Sequence, residues 1–229
     1  MTRPDRMDWD AVYRQDAPPP WSIGAPQPEL AALIDQGKVR SDVLDAGCGH
    51  AALSLALATR GYAVVGLDAS PAAISAATAA AAKQELKTAS FAVADVTSFS
   101  GYDGRFSTIF DSGLFHSLPV ERRHDYLKSI HRAAAPGARL FILAFATHAF
   151  AAESQGPNGF TESELRETVS QFWAVDDIRP ATLYANEIQM SEGPMPFANV
   201  ERDDEGHMKL PGFLLSAHRA EQRNFEVSR

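Results

Sequence analysis

Val43-Leu44-Asp45-Ala46-Gly47-Cys48-Gly49-His50-Ala51, followed by Val64-Val65-Gly66-Leu67-Asp68-Ala69-Ser70, is the part of this chain that decides its fold. An apolar run, a turn with Gly47 and Gly49, a helical pattern and a second apolar run ending in an acid make half of a nucleotide-binding sheet. The glycines permit a tight turn and let a ligand approach bare backbone. Asp68 is placed to accept hydrogen bonds from both hydroxyls of a ribose.

Spacing leaves the cofactor open. Gly47, Gly49 and Ala52 satisfy the dinucleotide fingerprint, and an acid follows about 20 residues on, as that fingerprint expects. Charge separates the readings. Asp45 stands two residues before Gly47, at the carboxyl end of the first strand, where a pyrophosphate would be repelled. S-adenosylmethionine (SAM) instead brings an ammonium and a sulfonium, which a carboxylate attracts. SAM is therefore the expected cofactor, with S-adenosylhomocysteine as its product. The structural alternative is that Asp45 caps the following helix or bonds turn amides.

The rest of the composition bounds the function. The chain has 229 residues, 45% of them apolar and 22% charged, which fits one soluble α/β domain. A net charge of -8 and a pI near 5.3, with no Lys/Arg cluster, argue against nucleic acid or an anionic membrane as partner. Cys48 is the single cysteine, so no internal disulfide is expected; between two glycines it reads as a small spacer. The polar N-terminus and the lack of a long apolar run point to a cytoplasmic protein.

Along the chain, helices are expected at 8–15, 28–37, 51–60, 71–87, 121–135 and 161–171. Ser70 should cap the fourth of these, Pro136-Gly137 close the fifth, and Thr161 with Glu164 form a capping box in the last. Strands are expected at 43–46, 63–67, 90–94, 106–110, 139–146, 172–185 and 212–219. Short apolar strands alternating with helices mean a parallel sheet covered on both faces. Right-handed crossovers then bring Asp45, Asp68, Asp95, Asp111 and the 144–150 stretch to one edge, where ligands bind. Residues 186–211 read as an excursion between the last two strands.

The ordered run of Val-Leu-Asp-Ala-Gly-Cys-Gly, Gly-Leu-Asp-Ala-Ser, Phe-Ala-Val-Ala-Asp-Val, Phe-Ser-Thr-Ile-Phe-Asp-Ser and Ala-Ala-Pro-Gly-Ala-Arg-Leu-Phe-Ile-Leu resembles the motifs of class I SAM-dependent methyltransferases over about residues 40 to 145. The segment from Pro20 through Trp21 to Pro28 resembles the thiopurine/thiol methyltransferase-like branch. With Asp111-Ser112-Gly113-Leu114-Phe115-His116 and the Leu-Leu-Ser-Ala-His ending, the chain is similar to the mycobacterial heterocyclic-toxin methyltransferases. The resemblance implies a Rossmann-like seven-stranded sheet, mostly parallel, whose last strand inserts antiparallel beside 139–146. It also implies a cover at 1–40, a SAM core at 41–146 and C-terminal strands at 147–229. The implied activity is methylation of a ring hydroxyl or nitrogen on quinolone- and flavonol-like heterocycles.

The match to family motifs assigns roles residue by residue. Asp45, Gly47, Cys48 and Gly49 would hold the methionine part. Asp68 with Ala69 would meet the ribose, and Asp95 with Val96 the adenine. Asp111 would lie near the methionyl group, and Trp21 would close over the cofactor. His116 is the expected general base for the acceptor hydroxyl, with His148 as second candidate, because a neutral imidazole titrates near working pH. Phe115, His148, Phe150, Met190, Met195 and Phe197 are expected to line an aromatic-accepting pocket. No metal is expected. Two other functions compete: a nicotinamide-dependent oxidoreductase, which leaves Asp45 unexplained and lacks a Tyr-x-x-x-Lys pair, and a SAM-binding protein without transferase activity.

Overall fold

A computed structural model describes residues 7–149, 158–187 and 200–220 of the chain. Its centre is a sheet of seven strands in the order β3-β2-β1-β4-β5-β7-β6. These are β1 (Val43–Ala46), β2 (Val64–Asp68), β3 (Ala89–Val93), β4 (Phe106–Ser112), β5 (Ala134–Phe145), β6 (Ala174–Ala185) and β7 (Met208–His218). The β3-β2-β1-β4-β5 pairs are all parallel. β7 runs antiparallel to both its neighbours, with Arg139 opposite His218 and Phe145 opposite Gly212, as the resemblance implied.

Side-chain alternation along the strands splits the core in two. Leu44, Val65, Ile109 and Leu140 point into one cluster, which Tyr126, Leu127 and Leu165 complete from helices α5 (Arg123–Ala133) and α6 (Glu162–Val169). Their neighbours Val43, Val64, Phe110 and Phe141 point the other way, onto Leu30, Leu33 and Leu57 of α2 (Pro28–Asp35) and α3 (Ala52–Thr59). Leu44 and Leu57 are wholly buried, each stabilising the fold by about 1.5–3 kcal/mol relative to an exposed side chain.

Local chemistry sets the helix ends. Ser70 caps α4 (Pro71–Lys83) by accepting from the Ala73 amide at 3.1 Å, and Pro71 occupies a first-turn position that needs no donor. Thr161 and Glu164 bond reciprocally in the expected capping box. α4 stops four residues short of the expected end, with Glu85 in the left-handed region. Pro136-Gly137 does not close α5. Both residues lie inside β5, at a register break against β4, and Gly137 takes a φ of 68° there. Residues 208–211, expected in the excursion, belong to β7 and pair with β6. Within that excursion residues 188–199 lie outside the described residues, as do 150–157.

Among the described residues no helix is long and apolar enough to cross a membrane.

Candidate active site

The carboxyl ends of β1 and β4, at Asp45 and Ser112, and the turn after β1 form a cleft of about 310 Å³, roofed by the N-terminal segment. Trp21, Asp45, Gly47, Cys48 and Gly49, five of the expected cofactor residues, come together there. The turn is pinned from below, because the amides of Gly47 and Cys48 both donate to the Leu67 carbonyl, at 2.8 and 3.0 Å. Gly47 and Gly49 adopt φ of 71° and 51°, which a side chain would resist.

The bare glycine faces are used by the protein itself. A Cβ on Gly47 would lie 3.0 Å from Leu114, and one on Gly49 only 2.5 Å from the Tyr13 hydroxyl. The sequence reading reserved both faces for a ligand; side chains occupy part of that space.

Asp45 is buried, with 1% of its surface exposed, and accepts a 2.7 Å hydrogen bond from the Ser54 hydroxyl on α3. Burial pushes its pKa up to about 6 against the opposing bonds from Ser54, and the Asp68 carboxylate adds to the rise. A desolvated carboxylate in a cleft is stabilised by a cation, so the site fits the positive end of SAM and not a pyrophosphate. Asp68 ends β2 and ties the turn to the start of α4: its carboxylate accepts from the Gly49 amide and the Ser70 amide, each at 2.9 Å. Burial raises its pKa despite these bonds. Cys48 packs its sulfur against the Gly66 position, and burial first, then Asp45 and Asp68, raises its thiol pKa, which disfavours the thiolate.

The remaining expected cofactor residues lie around this cleft and do not line it. Ala69 is exposed at the β2–α4 junction. Asp95 is exposed beyond β3, where it accepts from the Thr97 amide at 2.9 Å and pairs with Arg122 at 2.9 Å, while Val96 turns into the core. Asp111 has no exposed surface and three donors: the amides of Leu114 and Phe115, at 2.9 and 3.1 Å, and the Tyr126 hydroxyl at 2.7 Å. Burial outweighs these bonds and raises its pKa to about 7.

Two residues expected on the acceptor side are buried in the structure. Phe115 is wholly buried in the core, stacked on Phe160 with ring centroids 5.0 Å apart. His116 is 4% exposed, and its Nδ1 accepts the Phe145 amide at 3.1 Å. That bond uses the one lone pair of a neutral imidazole and leaves the proton on Nε2, which can only donate. Burial, with the Arg123 charge adding, lowers its pKa to about 3. A group so placed does not take a proton near neutral pH. His148 is exposed, in a short 3-10 turn directly after β5. Phe150, Met190, Met195 and Phe197 lie outside the described residues.

The motif reading missed Tyr13. It sits at the end of α1 (Trp9–Tyr13), lines the cleft, and receives the Trp21 indole N–H at 3.0 Å. Only the aromatic content of the 9–21 segment hinted at it. Among the described residues no three His, Cys, Asp or Glu side chains gather as a metal site.

A sheet of this order, with a buried acid before a glycine turn and a second acid ending the next strand, defines a class I methyltransferase core. Residues 43–137 match the methyltransferase domain family. The chain is also 52% identical to the 2-heptyl-1-hydroxyquinolin-4(1H)-one methyltransferase of Mycobacteroides abscessus, over 92% of this chain and 96% of that one. The chain belongs to the SAM-dependent methyltransferases.

Among solved structures, one described as the conversion of a disulfide bond into a thioacetal group during echinomycin biosynthesis is 33% identical, covering 93% of this chain and 92% of its own, with a TM-score of 0.78. A 1,6-didemethyltoxoflavin-N1-methyltransferase from Burkholderia thailandensis, solved with 1,6-didemethyltoxoflavin and S-adenosylhomocysteine, shares the fold at 20% identity and a TM-score of 0.61, covering 93% of this chain and 80% of its own.

Proposed function

We propose that this enzyme transfers the methyl group of SAM to a hydroxyl, or a ring nitrogen, of a small aromatic heterocycle of the hydroxyquinolone or flavonol type. The observation that carries the acceptor class is the 52% identity, across nearly the whole chain, to a methyltransferase named for a hydroxyquinolinone. Bound SAM supplies an electrophilic methyl on a sulfonium. In this reading Asp45 answers the cofactor's positive charge, Asp68 takes the ribose hydroxyls with lone pairs left beside its two amide bonds, and Asp95 and Val96 lie towards the adenine.

The transfer is an in-line displacement, so the protein's main contribution is alignment of acceptor oxygen, methyl and sulfur. A hydroxyl conjugated through a heteroaromatic ring to a carbonyl is acidic and needs little help to ionise. The setting of His116 supports a mechanism without a buried base, and His148, at the exposed end of β5, is the side chain proposed to meet the acceptor. Asp111 serves the same edge by holding the turn after β4.

Incubation with methyl-labelled SAM and separate acceptors tests the proposal: a 2-alkyl-1-hydroxyquinolin-4-one, a flavonol and an aliphatic thiol. Label should pass to the quinolone, the flavonol or both. Transfer to the thiol alone, or to none of them, would overturn the acceptor class.

A further inference from the structure

Tyr13 is held over the glycine turn by a helix that is itself anchored at the cofactor side of the sheet. Asp8 caps α1 through the Ala11 amide at 3.1 Å. Asp10 then accepts from the Ser70 hydroxyl at 2.8 Å and the Ala72 amide at 2.9 Å, fastening α1 to the start of α4 beside Asp68. The Tyr13 ring stands edge-on to His50 and to Trp21, at centroid distances of 5.0 and 6.3 Å. Its hydroxyl therefore has a fixed height above Gly49.

The hydrogen-bonding balance of that hydroxyl is incomplete. The oxygen accepts from Trp21 Nε1, and among the described residues no group accepts the Tyr13 proton. Burial, then the Asp68 charge, raises its pKa, so the proton stays in place at neutral pH. The cleft thus has the Asp45 carboxylate for positive charge and, at its roof, a neutral Tyr13 hydroxyl with a proton to donate. SAM has one anionic group, its amino-acid carboxylate, which Asp45 and Asp68 repel and which needs a donor. Resting on the reading of the cleft as the SAM site, we infer that the Tyr13 hydroxyl donates a hydrogen bond to the amino-acid carboxylate of the cofactor. Trp21 is then a positioning residue: its indole N–H sets the direction of that donor.

Titration calorimetry with two ligands tests this without turnover. S-adenosylhomocysteine carries the carboxylate; 5′-methylthioadenosine keeps the nucleoside and sulfur but lacks it. Tyr13→Phe preserves the ring contacts and should weaken S-adenosylhomocysteine by about tenfold, leaving 5′-methylthioadenosine unchanged. Trp21→Phe should cost the first ligand about threefold, and nothing further in the Tyr13→Phe background. Equal weakening of both ligands, or of neither, would overturn the inference. Wild-type protein that binds neither ligand would overturn the SAM reading of the cleft itself.

Discussion

The two ends of the carboxyl edge hold similar side chains in opposite states. On the β1–β2 side, Asp45 is buried with Ser54 alone bonding it among the described residues, Tyr13 has a proton to give, and Trp21 keeps 41% of its surface exposed over a cleft. On the β4–β5 side, Asp111 has three donors, the acceptor nitrogen of His116 is taken by a backbone amide, and Phe115 is sealed between aromatic rings. Groups with bonding capacity left beside a cleft are poised for a ligand; groups whose capacity is filled in a core hold a shape. In the proposed function the first side takes the cofactor and the second is a scaffold.

That contrast breaks most visibly at the two buried acids. Asp45→Asn removes the charge that faces the cofactor's cation and should weaken SAM by about a hundredfold in calorimetry. It should leave the ligand-free protein as stable as before, because a desolvated charge has been removed. Asp111→Ala should do the reverse. Stranding two buried amides and a tyrosine hydroxyl should cost about 3 kcal/mol in denaturant unfolding, with SAM affinity changed by less than about threefold.

His116 sharpens the contrast further. His116→Ala removes the acceptor that His116 Nδ1 offers the Phe145 amide and should lower kcat by about tenfold, whereas in His116→Asn a side-chain oxygen accepts that amide and should restore most of the rate. Neither variant should change the pH profile of kcat. Loss of an acid limb in both would return His116 to the chemistry as a base.

The smallest expected effect is on stability against pH. Asp45 and Asp111 have folded pKa values of about 6 and about 7, both above the ordinary 3.8. At Asp45 and Asp111 the folded chain therefore binds more protons than the unfolded one between about pH 4 and 7, and these two groups stabilise the ligand-free protein as the pH falls through that window, while buried His116, with its pKa lowered to about 3, opposes them there. Other acids oppose the trend: Asp10, Asp95, Glu164 and Asp203 have lowered pKa values and lose their contribution on acidification. Asp45→Asn removes its share of that stabilisation, so the variant's thermal unfolding midpoint should change less favourably than that of wild type as the pH falls from about 7 to 4.

Much of the cofactor side was legible because it is local. β1 falls where its apolar run ends, Ser70 and Thr161 cap as their types require, and Asp45 and Asp68 declare their charge within a few residues of the glycines. The insertion of β7 beside β5 came from resemblance and not from periodicity, which cannot rank strands. What escaped was long-range. Nothing in the sequence joins Tyr13 to Gly49, since α1 carries no buried residue to mark its face. His116 looked like a base because its residue type is right; only the fold brings the Phe145 amide onto its nitrogen. Pro136-Gly137 reads as a helix stop, yet a break in pairing with β4 lets the strand carry both residues.

The pH dependence of SAM binding puts the cofactor side to the most direct test. Dissociation constants for wild type and Asp45→Asn would be measured by calorimetry from about pH 5 to pH 8, with Asp45 ionised only above its pKa of about 6. Wild-type affinity should fall steadily as the pH drops through that value, while the variant stays weak and flat. A wild-type affinity independent of pH, or a variant that binds as tightly as wild type at neutral pH, would contradict the role given to the buried acid before the glycine turn.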